Sequence, residues 1–459
     1  MHPVIVVLDI GKSNIKVSAV SIERGQCIAV KKRENKPVYG YPYQHADIDA
    51  IWTWFCEQLA EMGKQFYVRY ITCTTHGATA VCLSQEQVAL PVLDYEYDLD
   101  SNTNTKYAEI RPPYSETRSP NLSVGLNIGR QLFWLSRQFP AEFKNVDTIL
   151  TFLQYWCWKL SGVACSEVTS LGCHTDLWNP ESSTLSSLVK GLDWESLFPP
   201  MLNAGESLGK ILPVLSKTLG LPVECEILNG LHDSNASLVP YLLRCERPFT
   251  VMSTGTWVVI ANVGGATGSL SEDQDMLCNV DAFGEPVPCI RFMGGREWEI
   301  LHAANTADLS DLKQVLDKGV YLLPSFSSQG GPFRHHNGKI IGESDSLNAR
   351  EKTALATIYC ALVSDYCLTR LGCSGPIHIE GSFSNNPLFA ELLSVFRQHQ
   401  SIYTSSDQTG TTLGTASLLS EIAKLNMLSL NTFSSSETLP VEQLSAYRKA
   451  WFEMIKSLI

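Results

Sequence analysis

The chain has 459 residues, 44% hydrophobic and 18% charged, a composition of folded globular protein that excludes disordered and fibrous classes. That length can bury two sizeable cores, because single domains seldom grow past about 250 to 300 residues. A formal net charge of −12 argues against nucleic acid or an anionic membrane as the main partner, since both reward clustered Lys and Arg. A local phosphate site stays allowed.

The opening stretch "VIVVLDIGKSNIKVSAV" contains Gly11-Lys12-Ser13, the tail of a P-loop. The first glycine of that motif is missing, because Val6 holds its place, and Ile15, Val17 and Ala19 alternate as in a strand. The segment therefore reads as strand, turn, strand, with Asp9, Lys12, Ser13 and Lys16 around a turn where Gly11 admits a close ligand. An ordinary hairpin with a polar tip is the alternative. The apolar run Val4 to Leu8 stops at Asp9, too short for a signal-peptide core or a membrane span. The 14 cysteines include no Cys-x-x-Cys pair, and Cys73, Cys157 and Cys225 sit in apolar segments, so a reduced, cytoplasmic protein is expected.

"DIDAIWTWFCEQLAEMG" places Ile51, Trp54, Phe55, Leu59 and Met62 on one helical face, with Asp47 or Asp49 as cap and Gly63 as stop. "YVRYITCTTHG" reads as a strand ending in a polar turn, and "LSVGLNIGRQLFWLSRQFP" and "DTILTFLQYWCWKLSG" as amphipathic helices, the second starting after Asp147 and ending at Gly162. Trp156 and Trp158 read as packing. "PVECEILNGLHDSNASLVPYLL" gives a strand, a Gly turn and a helix, with Asp233 and Ser234 at the junction.

"RPFTVMSTGTWVVIANVGG" then repeats the opening: apolar strand, small polar turn at Ser253 to Thr256, apolar strand. Such an echo is expected if two related domains each supply a phosphate-facing hairpin to a cleft between them, with "RCERP" as linker. The domain reading is 1–243 and 244–459, with room for the last helix to pack back on the first domain. In the second half "TALATIYCALVSDYCLTRLG" is a helix, "GPIHIEGSFSNNPLFAELLSVF" a strand, turn and helix, and "SIYTSSDQTGTTLGTASLL" a strand and polar turn opening a helix. Pro324 to Gly338 and Leu428 to Pro440 read as surface loops, and "VEQLSAYRKAWFEMIKSL" as a final amphipathic helix.

With this inventory the chain resembles the FGGY family of carbohydrate kinases, and within it the rhamnulokinase-like branch. The resemblance rests on Asp9, Gly11, Ser13 and Lys16 as the first phosphate motif, "GLHDSNAS" as the catalytic motif, "STGTW" as the second phosphate motif, and "EGSFSNN" with "TLGTA" around the nucleotide. It implies an α/β fold of two actin-like (ribonuclease H-like) ATPase domains flanking a central cleft. Four features depart from the pattern: Glu380 stands where glycine is usual and would crowd or repel the nucleotide; Lys12 replaces a small residue, to contact phosphate or lie in solvent; "THG" at Thr75 to Gly77 is closer to xylulose kinases; and "DYEYD" replaces an Asp-Arg motif of the sugar pocket.

The activity implied is transfer of the γ-phosphoryl group of ATP, with Mg2+, to a hydroxyl of a small ketose or related polyol. Asp233 maps onto the catalytic base, kept ionised by its place at a helix start, with a plain helix cap as the alternative. Gly11, Lys12, Ser13, Lys16, Thr254, Gly255 and Thr256 would face the phosphates, and Gly381, Ser382 and Asn385 the adenosine, unless Asn385 caps a helix. Asp9 would hold magnesium through water. His76, Gly77, Gln154, His232 and Asp233 would meet the sugar. Sugar and ATP are the expected partners, with no nucleic acid and no membrane; a homodimer is allowed. Two other readings compete: a non-catalytic sugar or nucleotide sensor on the same fold, motivated by Glu380 and the altered sugar-pocket residues, and an actin-like chaperone ATPase, which would need a peptide-binding domain for which little chain is left over.

Overall fold

The computed structural model describes residues 1–327, 330–405, 410–425, 430–433 and 439–456. Four readings therefore fall wholly or partly outside the described residues: the polar turn after Ser405, most of the Leu428 to Pro440 loop, Ser328 and Gln329, and the end of the last helix. The chain divides into two compact units, Met1–Arg244 with Cys278–Pro286 and Thr409–Met427, and Cys245–Leu277 with Val287–Gln408 and Leu428–Ile459. No described helix is long and apolar enough to cross a membrane.

The first unit is built on a seven-stranded sheet. Pro3–Ile10 is apolar on both faces, as a central strand must be: Val4, Val6, Leu8 and Ile10 enter one core, while Ile5 and Val7 enter another. It pairs antiparallel with Asn14–Ser21, which pairs antiparallel with Cys27–Glu34. On its other side it runs parallel to Tyr67–Thr75, which also pairs in parallel with Glu226–Leu228 and Leu231–His232. The helix Ile48–Gln65 covers one face through Ile51, Phe55, Leu59 and Met62, and Asp47 caps it by accepting from the Ala50 N–H at 3.0 Å. Ala416, Leu419 and Ile422 cover the other.

The second unit repeats this plan. Phe249–Thr254 pairs antiparallel with Val258–Val263, which pairs antiparallel with Pro286–Phe292; on the other side come Ile377–Gly381 and Ile402–Ser405, both parallel. The helix Ala349–Arg370 is buried on nearly every side and starts with a capping box of Asn348 and Glu351. The final helix, Val441–Ile455, packs within this second unit, where Tyr447 and Trp451 donate to the carbonyls of Val320 and Leu322.

Four local readings change. Leu430–Phe433, read as part of a surface loop, is a strand paired antiparallel with Ile402–Ser405. Thr148–Thr151 is a strand paired with Ala80–Ser84, and the helix runs only from Phe152 to Ser161; the β-branched Thr148, Ile149 and Thr151 outweigh the helical spacing. The preceding helix starts at Ile128, since Leu122 to Asn127 is a loop held by the Asn127 side chain. Gly63 does not stop the first helix but lies inside it, where an added Cβ would stand 2.8 Å from Leu221 Cδ2.

Candidate active site

In the first unit the hairpin turns between Ile10 and Ile15, closed by the Gly11 N–H donating to the Asn14 carbonyl at 2.9 Å. Asn35 clasps this turn from the next strand: its side chain donates to the Gly11 carbonyl and its N–H to that of Ser13, both at 2.9 Å. Ser13 is exposed at the tip. Asp9 and Lys16 face each other across the hairpin with Lys16 Nζ 3.1 Å from Asp9 Oδ2. Burial pushes the Asp9 carboxyl above its usual range, Lys16 pulls it back, and the charge of Asp233 raises it again.

Lys12 turns away from solvent. Its ammonium bonds Asp94, stands 3.2 Å from Glu96 Oε2, and lies 4.4 Å above the Tyr95 ring. "DYEYD" therefore supplies the partners of Lys12, and a residue expected at the phosphates is placed beside Asp94 and His76 in one narrow recess. Asp94 accepts from Lys12 and from the Glu96 N–H, which together outweigh its burial and hold its carboxyl below the ordinary range.

Asp233 follows the strand Leu231–His232 and opens a helix of only four residues. So short a helix has little dipole, and the expectation of ionisation by a helix start does not hold: burial pushes the Asp233 carboxyl up, opposed by His76, by hydrogen bonds from Ser234 and by Lys16. Its Oδ1 accepts the Ser234 N–H at 2.6 Å and hydroxyl at 3.2 Å, and the side chain stays about 30% exposed.

His76 ends the parallel strand beside the hairpin and joins Asp9 to this cluster through its N–H, which donates to the Ile10 carbonyl at 2.8 Å. Its Nδ1 lies 2.9 Å from the Gly77 carbonyl and must carry the proton, and burial lowers the affinity of the ring for a second proton, against the pull of Asp233, so that Nε2 is the acceptor of the neutral form. His232 is 5% exposed and burial pushes it down to about 4; its Nε2 is 3.5 Å from Asp233 Oδ1. Gly77 is required there, since a Cβ would meet His232 Nε2 at 2.5 Å. Gln154 is fully buried with both ends of its amide engaged, by Thr151 and Asn229, and so acts as a brace behind the site.

In the second unit a cavity of about 470 Å³ opens beside the second hairpin. Gly255 and Thr256 stand exposed at the tip and line it, as do Ser382 and Asn385. Thr254 does not: it is 4% exposed and its hydroxyl donates to the Glu380 carbonyl and accepts from the Phe383 N–H at 2.9 Å. Two glycines let this tip seat. A Cβ on Gly381, at φ +83, would lie 1.9 Å from the Thr254 carbonyl oxygen, and one on Gly295 would lie 1.9 Å from that of Gly255. Gly381 thus works through its missing side chain. The helix cap is Asn386, bonded to the Phe389 N–H at 3.3 Å, which leaves Asn385 facing the cavity. Glu380 does not line it.

Sequence reasoning missed the far wall, formed by Gly295, Arg296 and Trp298 of the helix Gly294–Leu301 and by Asn305 and Thr306. The signal available was the Gly294-Gly295 pair opening that helix.

The fit to nucleotide and metal can be tested on these features. The cavity lies in the size range of small-molecule sites, about 300 to 1,000 Å³, and its backbone-rich hairpin tip suits phosphate. A buried carboxylate whose ionisation is opposed by a second suits a hard divalent cation. Among the described residues no three His, Cys, Asp or Glu side chains form a metal cluster.

Comparison with known proteins places these features in a family. The N-terminal domain model of the FGGY family of carbohydrate kinases matches residues 4–240, and the C-terminal domain model of carbohydrate kinase FGGY matches residues 246–426. The crystal structure of a carbohydrate kinase from Novosphingobium aromaticivorans is 33% identical, with 98% of this chain and 100% of that one covered and a TM-score of 0.92. A ligand-bound xylulose kinase from Lactobacillus acidophilus, 15% identical over 99% and 98% of the two chains, has a TM-score of 0.80 and shares the fold. Among curated proteins, L-fuculokinase of Salmonella typhi is 24% identical over 295 residues and that of Escherichia coli (strain K12) 24% over 294. Each match spans 61% of this chain and 61% of the fuculokinase. With both domain models matched in order and a near-complete structural counterpart, the chain belongs to the FGGY family of carbohydrate kinases, with the two-domain actin-like fold of that family.

Proposed function

We propose that this protein is an ATP-dependent kinase of a small ketose or related polyol, in which Asp233 is the general base. The observation that carries the reading is the clustering of Asp233 with His76, His232, Asp9 and Lys16 in the first unit. Asp233 takes the proton of the acceptor hydroxyl; the sugar oxygen then forms a bond to Pγ as the bond from Pγ to the β,γ-bridging oxygen breaks, releasing ADP. Ser234 holds Oδ1 and leaves Oδ2 to receive the proton. Lys16 opposes the effect of burial on both carboxylates. Neutral His76 accepts from a sugar hydroxyl through Nε2. Magnesium, held by Asp9 through water, would offset charge on the phosphates.

We assign the nucleotide to the cavity of the second unit, with the Gly255 and Thr256 tip at the phosphates and Ser382 and Asn385 at the nucleoside. Gly11, Ser13 and Lys16 keep their assignment to phosphate, whereas Lys12 is reassigned to the sugar side by its bonds to Asp94 and Glu96. Thr254 and Gln154 become supports. The boundary near residues 243 and 244 and a cytoplasmic location belong to the same proposal. Fuculokinases and a xylulose kinase among the relatives favour a five- or six-carbon ketose; the rhamnulokinase-like branch rests on the motif likeness of "GLHDSNAS" alone. The sensor reading loses the motive that rested on Glu380, which stands outside the cavity lining, and keeps only the altered sugar-pocket residues.

ADP release across a panel of ketoses and polyols tests the reading, with Asp233→Asn as control. Sugar-dependent turnover lost in the variant supports it; sugar or nucleotide binding with no turnover overturns it.

A further inference from the structure

A second polar cavity, about 460 Å³, lies in the first unit away from the base and hairpin, between the helices Ser101–Ile110 and Ile128–Gln138 and the loop joining Asn121 to Val124. Arg111 and Arg130 both line it, with Tyr107, Asn104, Asn121 and Ser123. Their charges do not balance. Arg111 Nε pairs with buried Asp176 at 3.3 Å, and Asp176 also accepts from the Tyr107 hydroxyl at 2.8 Å.

Arg130 is 6% exposed, yet among the described residues the acceptors around its guanidinium are the neutral carbonyls of Leu122 and Val124 and the amide oxygen of Asn121, while Nε carries no hydrogen bond. Two guanidiniums thus share one buried carboxylate, leaving one desolvated positive charge against the cavity. The carboxylate at its rim, Asp98, is exposed and screened by water. Burial also lowers the proton affinity of Arg130, and the charge of the shared Asp176 offsets this only in part. Both Nη1 hydrogens are taken and Nε is buried, so what Arg130 offers a polar chamber larger than a phosphate ion is its charge and the remaining Nη2 hydrogen, which suits an oxyanion joined to a polar body.

The loop held by Arg130 reaches the sugar recess. Next to Val124, the Gly125 N–H donates to the Tyr95 carbonyl at 2.9 Å, and Gln131 bonds the carbonyls of both Gly125 and Ala78. Tyr95 in turn packs on His76 and Lys12.

We propose that this cavity is a regulatory site for a small metabolite bearing a phosphate or carboxylate, bound through Arg130, whose occupancy is transmitted along the Asn121 to Gly125 loop to Tyr95. Binding stands by itself; the effect on sugar affinity rests on the kinase reading.

The test is calorimetric titration of the full chain with inorganic phosphate and, separately, with malonate, which distinguishes the two oxyanion classes. Asn121→Asp places a carboxylate on the exposed partner of Arg130 at almost no change in shape, and should weaken the site about tenfold or more without lowering the melting temperature. Arg130→Gln should do the same to binding, while Lys16→Met, in the first hairpin, should leave it intact. Equal binding by wild type and Asn121→Asp, or loss in Lys16→Met alone, overturns the site. In the kinase assay, saturating malonate or phosphate should shift the sugar KM on the order of fivefold in wild type and not in Asn121→Asp. An unchanged KM with binding intact overturns the transmission. Absence of turnover with every sugar breaks the kinase reading instead, and the titration still decides the site.

Discussion

The two hairpins share a backbone plan and differ in almost every side chain at their tips. The first is charged: Asp9 faces Lys16, and Lys12 is drawn to Asp94 and Glu96. The second carries no charged residue from Ser253 to Trp257, and is seated instead by two glycines that let its carbonyls come close. In the proposed reading one scaffold serves two kinds of chemistry: carboxylates and ammoniums fixed in pairs where a proton would move and a cation would bind, and neutral amides at close approach where phosphates would be cradled.

The largest break in this contrast should come from Asp233→Asn. Removing a general base lowers kcat by about 10² to 10⁴, with little change in KM for ATP. The same variant should melt higher than wild type at neutral pH. Asp233 has a raised carboxyl in the folded state, so its contribution to stability is fully present below the unfolded value near 3.8 and is lost as pH rises through the folded value. The gain on substitution should accordingly vanish on acidification below that range. Melting curves at neutral pH and near pH 3 check the sign, and the acid limb of kcat should lie above the ordinary carboxylate range.

Next in size is Gly295→Ala on the uncharged hairpin. Alanine inside a helix normally gains about 1 kcal/mol over glycine, but here the methyl would lie 1.9 Å from the Gly255 carbonyl oxygen. The expected outcome is the reverse, a loss of about 1 to 3 kcal/mol with a raised KM for ATP and an unchanged KM for sugar. Lys12→Met on the charged hairpin should do the opposite in kinetics, raising the sugar KM roughly tenfold, 1.4 kcal/mol in binding, with the KM for ATP unaltered. A raised ATP KM would return Lys12 to the phosphates.

The smallest effect concerns His232. Its folded value is pushed down to about 4 from 6.5, so its contribution to stability is present above 6.5 and is lost as pH falls toward 4. His232→Gln should flatten the dependence of melting temperature on pH in that window alone.

Much of this was legible in the chain itself, because strand alternation and turn residues are local. Both hairpins, the helix from Ile48 and the strand Glu226–Leu228 follow from spacing. What escaped depends on distant partners. Lys12 meets Asp94 across 82 positions, and nothing around Lys12 announces it. Thr254 looks like a phosphate ligand until the carbonyl of Glu380, 126 positions on, takes its hydroxyl. Gly295 contributes only an absence of atoms, which acquires meaning once Gly255 is beside it. Thr148 to Thr151 misled because helical spacing and a short β-branched strand can coincide in four residues.

No disulfide joins any of the 14 cysteines, and ten of them are buried. Burial raises the thiols of Cys73, Cys82, Cys360 and Cys367, which should keep these sulfurs protonated and out of reach of oxidants in the native protein. Unfolding removes both protections at once and releases a chain able to cross-link with itself in many ways. Its practical lifetime when heated should depend on reductant and on how fast the fold opens, more than on the free energy of folding.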